Sequence, residues 1–533
     1  MRLPSLKIPL KALVHASHPD IALPRSLRAR PALRPHLLAI APAGSLARRR
    51  LAPPPTIRST VRQSHGEQHE IQERVGQPIS QRELRRRVWN LALPAIGEQL
   101  LALGVGTSDT FLAGHLSTHA IAQVGYDRAT ALAAVGVAST AVWVVLNAFF
   151  AINIGVTALV ARATGARDRA LATRAAAQGI LLGLLAGLVM VAVAVPLASV
   201  ITGALGVSGQ VAHLAASYIR VFSFALPLTG AASAATAAMR GAGDARRPLL
   251  VMLIVNGANV AGSWTLMNGL PALGIHPIGV VGSAVGAAAG WSLGAALAFA
   301  LLWRAHPKAP RLDRQALRPH METIKRILRI GLPSAAEIGV FQIGIVTFGR
   351  VVVGLGATAY AANTTINTVE NMGSLPGFGF AVATTALVGQ ALGALDPELA
   401  IRSVWAALRP CVIVMGTMGA LALLLPHLLL GIFVADHAVL SAGSMAIRIS
   451  CLTLPFSAIA FIFNGALRGS GDTKFPVIVR AAGTWGIRLP VALLLIPLLA
   501  LPGARLAMAL DYSIQGGLSY WRFRSGRWRR ARV

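Results

Sequence analysis

The sequence predicts an all-α membrane protein of twelve transmembrane helices in two pseudo-symmetric six-helix lobes. Three observations carry that expectation. Of 533 residues, 55% are hydrophobic and 13% charged, and apolar runs near the ~20 residues that cross a bilayer recur along most of the chain. The stretch Arg240-Gly-Ala-Gly-Asp244-Ala-Arg-Arg-Pro248 returns as Arg468-Gly-Ser-Gly-Asp472-Thr-Lys-Phe-Pro476, at an offset of 228. The same offset pairs Thr157-Ala-Leu-Val160 with Thr385-Ala-Leu-Val388, Gly165 with Gly393, and Asp168 with Asp396, so the apolar body reads as a duplication. Third, basic residues collect in alternate loops.

The elements follow in order. Residues 1–85 are Pro- and Arg-rich and nearly free of acids before Glu67. They are expected to be a disordered basic tail or leader, with an Arg-rich targeting peptide as the alternative. The first lobe, 86–304, holds spans at 89–113, 130–160, 172–202, 211–239, 248–270 and 279–304. A cytoplasmic linker, 305–326, leads to the second lobe, 327–524. Its spans are 327–353, 357–391, 399–430, 439–467, 476–500 and 503–523, and a basic tail closes the chain at 525–533. Six spans per lobe give both lobes the same orientation, so they are related by an axis along the membrane normal.

Arginines precede the first span and follow the second, fourth, sixth and tenth, whereas the loops at 203–210, 271–278, 354–356 and 431–438 hold no Lys or Arg. Arg128 and Arg505 are isolated exceptions. The positive-inside rule puts both termini in the cytoplasm, here of a bacterial inner membrane. The net charge of +30 then serves anionic lipid head groups and not nucleic acid. The two cysteines, Cys411 and Cys451, lie in apolar stretches and imply neither disulfide nor metal site. There is no H-E-x-x-H and no G-x-x-x-x-G-K-[ST]. Neither an enzyme nor a cofactor is expected, and the protein is expected to act as a monomer.

Each copy of R-G-x-G-D-x-x-x-P ends one span and starts the next, with Gly making the tight turn and Pro at the following first turn. Arg240 is expected to pair with Asp244 and Arg468 with Asp472, as a helix–helix turn or a cytoplasmic gate. Leu93-Pro94 and Asp109-Thr-Phe-Leu-Ala-Gly114-His-Leu, echoed by Leu332-Pro333 and Gly354-Leu-Gly356, join these turns. With Thr157–Gly165, its copy ending at Gly393, and Trp521-Arg-Phe-Arg-Ser-Gly-Arg-Trp528, they make the chain resemble the multidrug and toxic compound extrusion (MATE) transporters over about 85–528. The resemblance implies a two-lobed exporter of amphipathic, often cationic organic compounds in exchange for H+ or Na+.

Ionisable groups within spans are costly and mark function. A carboxylate taken out of water binds and releases a proton nearer neutral pH. Asp109 matches the first-helix Asp that the resemblance makes the coupling residue, and Asn259 matches its fifth-span Asn. Ser263 and Ala287 stand where family members often carry Asp and Thr, which favours H+ over Na+, an ion wanting several oxygen ligands. Ser457, eleven residues before the second R-G, places the chain closer to the DinF-like branch. Glu98 and its repeat mate Glu337 are possible cavity carboxylates, and Asp511 is expected to pair with Arg480 or Arg488 in the second lobe. A lipid-linked oligosaccharide flippase of related fold is the alternative, with Arg350 and Arg488 as its only plausible pyrophosphate donors.

Overall fold

The computed structural model describes residues 79–304, 310–313 and 315–531; the expected tail or leader up to residue 78 lies outside them. The first lobe contains α1 (Gln81–Gly114), a short α2 (Thr118–Val124), α3 (Arg128–Gly165), α4 (Arg169–Ala204), α5 (Gly209–Ser223), α6 (Leu226–Gly241), α7 (Arg246–Asn268) and α8 (Val280–Trp303). The second contains α9 (Met321–Val353), α10 (Ala357–Gly393), α11 (Pro397–Leu424), a short α12 (Pro426–Gly431), α13 (His437–Ser470), α14 (Lys474–Gly483), α15 (Leu489–Leu499) and α16 (Leu501–Arg524). Among the described residues, ten helical segments are long and apolar enough to cross a membrane, counting Lys474–Leu499 as one. The α5–α6 pair, bent by 56°, makes an eleventh, and the more polar α16 completes the twelve. Pro227, near the start of α6, accounts for the bend because it lacks the N–H that would continue the ladder. In the eleventh span the break is a π turn at Thr484–Arg488.

The boundaries differ from expectation at three places. Helix α1 starts at Gln81, capped by Ser80, whose Oγ accepts from the Glu83 amide at 3.2 Å, so the first lobe begins before residue 86. Helix α9 starts at Met321, capped by His320, which shortens the linker. Part of that linker is docked: Gln178 of α4 donates to the carbonyls of Ala316 (2.8 Å) and Arg318 (2.9 Å) and accepts from the His320 amide (3.0 Å). The expected tail after Arg524 is likewise folded back. Trp528 is buried, stacks on Phe523 at 4.9 Å and donates from Nε1 to the Phe523 carbonyl.

The duplication is visible down to single torsions. Arg167 (φ 57°) and Leu395 (φ 59°), 228 apart, are two of the three non-glycine residues with positive φ among those described. Each precedes an Asp that caps the next helix, Asp168 at 2.9 Å from the Leu171 amide and Asp396 at 2.8 Å from that of Leu399. In the repeated turns Gly243 and Gly471 both sit at φ 90°, the left-handed region where a side chain is strained.

The lobes meet at the end that carries these turns and the last helix, and they part at the other. Near that terminal face, Val88, Leu91 and Ala92 of α1 share a buried cluster with α10, α11 and α13 of the opposite lobe. At the far end, the apolar clusters stay within single lobes, one formed by residues 112–287 and one by 348–508. The exposed side of α10 there carries Thr364, Thr368 and Asn371 about a turn apart, polar groups suited to a water-filled cleft and not to lipid. Closure is reciprocal. Arg162 of α3 donates to the carbonyls of Ser470 (3.4 Å) and Ala531 (3.2 Å), while its repeat mate Gln390 of α10 donates to that of Gly241 (2.9 Å). Gly165 lies against the backbone of Gln390, and Gly393 against the carbonyl of Arg162, so a Cβ at either would collide with main chain.

Gly165→Ala and Gly393→Ala are therefore expected to force the lobes apart at this face, each at an overpacking cost of about 1–3 kcal/mol. The readout is a lowered melting temperature of the detergent-solubilised protein, and an unchanged melt would mean the two backbones do not meet.

Candidate functional site

Asp109 lies near the C-terminal end of α1 and is 1% exposed, so it is not a carboxylate satisfied by water at a helix end. Its Oδ2 accepts from the Tyr218 hydroxyl at 2.9 Å, and its Oδ1 accepts from Asn259 Nδ2 and Ser263 Oγ, both at 3.2 Å. Ser263 also lies 3.0 Å from Asn259 Oδ1 and 3.2 Å from the Ser283 carbonyl of α8. Small residues bring these helices together: Gly286 sits against Ser263, and Gly290 against Val255 and Asn259, the close approach that small residues permit in membranes. Asp109 is thus held by three neutral donors and, among the described residues, forms no ion pair. That distinguishes it from the paired in-span carboxylates Glu98, Glu337, Glu370 and Asp511.

The structure brings Asp109 and Asn259 together as expected and adds Ser263 and Tyr218. Ser263 stands where the resemblance implies a carboxylate, and its hydroxyl contacts Asp109 directly. For Tyr218 the one signal in the sequence is that a Tyr within an apolar run needs a partner for its hydroxyl. Ala446, its repeat mate, gave no hint of it.

The expected pairing within the R-G-x-G-D turns is corrected. Arg240 pairs with Glu98, and Arg468 pairs with Glu337 at 2.7 Å. The arginines sit in the last turns of α6 and α13 and reach back into the span, toward the carboxylate one turn after Pro94 or Pro333. Asp244 pairs instead with Arg247 (3.3 Å), and Asp472 with Arg522 (2.8 Å). Glu98 and Glu337 are consequently tied across helices and do not stand free in a cavity. Asp511 pairs with Arg488 at 2.7 Å and accepts from Gln515 at 2.5 Å. Arg480 does not share it, lying 4.0 Å from Glu337 with its guanidinium 4.4 Å from the Phe341 ring centre.

Arg505, the isolated basic residue at the start of the twelfth span, is fully buried. It donates to Glu370 (3.0 Å), to Asn367 (3.0 Å) and to the side chain and carbonyl of Asn363 (2.6 and 2.8 Å). Among the described residues no three His, Cys, Asp or Glu side chains cluster as metal ligands do.

Two repeated six-span lobes closed at one face, with a caged carboxylate inside the first, have the build of a membrane transporter. The MatE family profile matches the chain twice, over 94–265 and 333–494, once in each lobe. A probable multidrug resistance protein NorM of Thermotoga maritima is 30% identical over 454 residues, covering 85% of this chain and 94% of that one. An uncharacterized transporter of Bacillus subtilis, YisQ, is 23% identical over 83% of this chain and 94% of its own length. Among solved structures, an outward-facing multidrug resistance MATE transporter of the MOP superfamily superposes with a TM-score of 0.74 at 20% identity, covering 83% of this chain and 96% of that one. The chain belongs to the MATE transporter family.

A double-mutant cycle on Glu98→Gln and Arg240→Gln tests the cross-helix pair. Each single change leaves an uncompensated charge and is expected to cost about 3–5 kcal/mol. The double variant is expected to recover part of that, read as melting temperatures in detergent; strictly additive losses would show that the two side chains do not interact.

Proposed function

We propose that the protein is an antiporter that exports amphipathic, often cationic organic compounds in exchange for H+ by alternating access. The observation that carries this reading is the caging of Asp109 by neutral donors from α5 and α7. With no cation beside it, the carboxylate can change charge without breaking an ion pair. Its hydrogen bonds join α1 to helices that must rearrange when it does. Na+ is the lesser reading for the coupling ion. Asp109 is the single carboxylate of the cage, and a hard cation wants several oxygen ligands. The related multidrug resistance proteins support the substrate class. So does an apolar cavity of about 310 Å³ lined by Val142, Val145, Ile219, Phe222 and Leu226, one turn along α5 from Tyr218.

In this cycle the protein works as a monomer in a bacterial inner membrane, with both termini and the closed face in the cytoplasm. The described conformation is then open outward. Protonation of Asp109 releases the donors of Tyr218, Asn259 and Ser263, loosening α1 from α5 and α7, and substrate leaves through the outer cleft. Return requires the Arg162 and Gln390 contacts at the cytoplasmic face to part. A flippase reading gains nothing from Arg488, which is buried against Asp511.

The test is efflux of a fluorescent lipophilic cation such as ethidium, energised in turn by a pH gradient and a Na+ gradient. Efflux is expected with the pH gradient and is expected to vanish in Asp109→Asn at unchanged expression; retained efflux in that variant would sink the coupling role. Tyr218→Phe removes one hydrogen bond to a charged group, worth about 1.5–3 kcal/mol, and is expected to slow efflux at least tenfold. Efflux driven by Na+ alone would reassign the ion.

A further inference from the structure

The two lobes carry the same carboxylate–arginine pair, and their comparison exposes one charge too many in the second. In the first lobe Glu98 faces Arg240. In the second, Glu337 faces Arg468 at 2.7 Å and also Arg480 at 4.0 Å. The position 228 residues before Arg480 is Met252, a buried apolar side chain. The other buried charges of the second lobe close one to one, Arg488 with Asp511 and Arg505 with Glu370. Glu337 therefore answers for two guanidinium groups.

The hydrogen bonding is unfinished in the same place. Glu337 is 2% exposed and its Oε2 has no partner among the described residues. The same holds for Arg468 Nε and Arg480 Nη1. Arg480 lies 4.4 Å over the ring centre of Phe341, and Arg468 lies 5.8 Å from that of Phe150, in the opposite lobe. The cluster thus sits where the lobes meet, at the floor of the cleft, and both arginine side chains keep 12–17% exposure. An uncompensated guanidinium in a low-dielectric interior is strongly unfavourable. Water answers a hydrogen bond but not the charge.

We propose that Arg468 and Arg480 form a binding site for one singly charged anionic group, either the carboxylate of an organic substrate or a monovalent inorganic anion. A planar carboxylate matches the fork of donors that guanidinium groups present, and the aromatic rings of Phe341 and Phe150 flank the place where its organic body would lie. Glu337 competes with the incoming anion for the same donors. The proposal rests on the exporter reading only in extending its substrates to zwitterions and organic anions; the site itself is a matter of binding.

The experiment is therefore equilibrium binding to the purified full-length protein in detergent, without any gradient. The probe is 1-naphthoate, in a zwitterionic buffer with or without added chloride. Saturable binding is expected without chloride. Arg480→Met, which installs the residue of the first lobe at the matching place, is expected to weaken it at least tenfold. Glu337→Gln, which removes the competing carboxylate, is expected to tighten it about tenfold, a gain that no general loss of structure produces. Competition by chloride identifies an inorganic-anion site, and indifference to chloride identifies an organic carboxylate; both uphold the proposal. Absence of saturable binding of 1-naphthoate, or equal affinity in wild type and Arg480→Met, overturns it. Failure of ethidium efflux leaves this result untouched, so the two readings fall separately.

Discussion

An ionised group inside a bilayer has to be answered by something other than water, and the interior of this protein is organised by how each one is answered. Four carboxylates are met by arginines, across α1–α6, α9–α13 and α10–α16, and between the π turn Thr484–Arg488 and α16. Each such pair fastens two helices at a defined depth, because separating them would leave two bare charges in a medium that tolerates neither. One carboxylate, Asp109, is answered by hydroxyl and amide groups alone. It is the charge whose loss or gain leaves no ion-pair partner stranded.

The two lobes are copies in backbone but not in chemistry. Turn torsions, helix caps and the closing contacts repeat at one spacing, which keeps the halves mechanically equivalent about the axis between them. The side chains inside have diverged. The second lobe has Asp511 where the first has Ser283, and Arg480 where the first has Met252. A symmetric scaffold thus carries an asymmetric set of buried charges.

Much of this was legible from residue order because periodic apolar runs and a constant repeat offset report on backbone path. The twelve segments and the duplication follow from local pattern, and the resemblance pointed to Asp109 and Asn259, which the structure places in contact. What sequence order could not assign was which partner a long charged side chain chooses. Arg240 has Asp244 four residues away, yet its guanidinium turns back along the helix to Glu98, 142 positions earlier in the chain. Arg505 stands alone near the start of its helix, and nothing nearby announced Asn363, Asn367 and Glu370. Tyr218 was hidden for a related reason, since a single hydroxyl in an apolar run gives no sign of the helix it will meet. Helix ends also ran past expectation at Gln81 and Met321, where side-chain caps carry the helix into polar sequence.

The contacts that close the terminal face have a donor side and an acceptor side of unlike kind. The acceptors at Gly241, Ser470 and Ala531 are main-chain carbonyls, present whatever residue stands there. Substitution can therefore rewrite only the donors, Arg162 and Gln390. The hydrogen-bonded part of this closure is therefore written in two codons, and an inherited change at either one alters it while leaving the carbonyls of the other lobe in place.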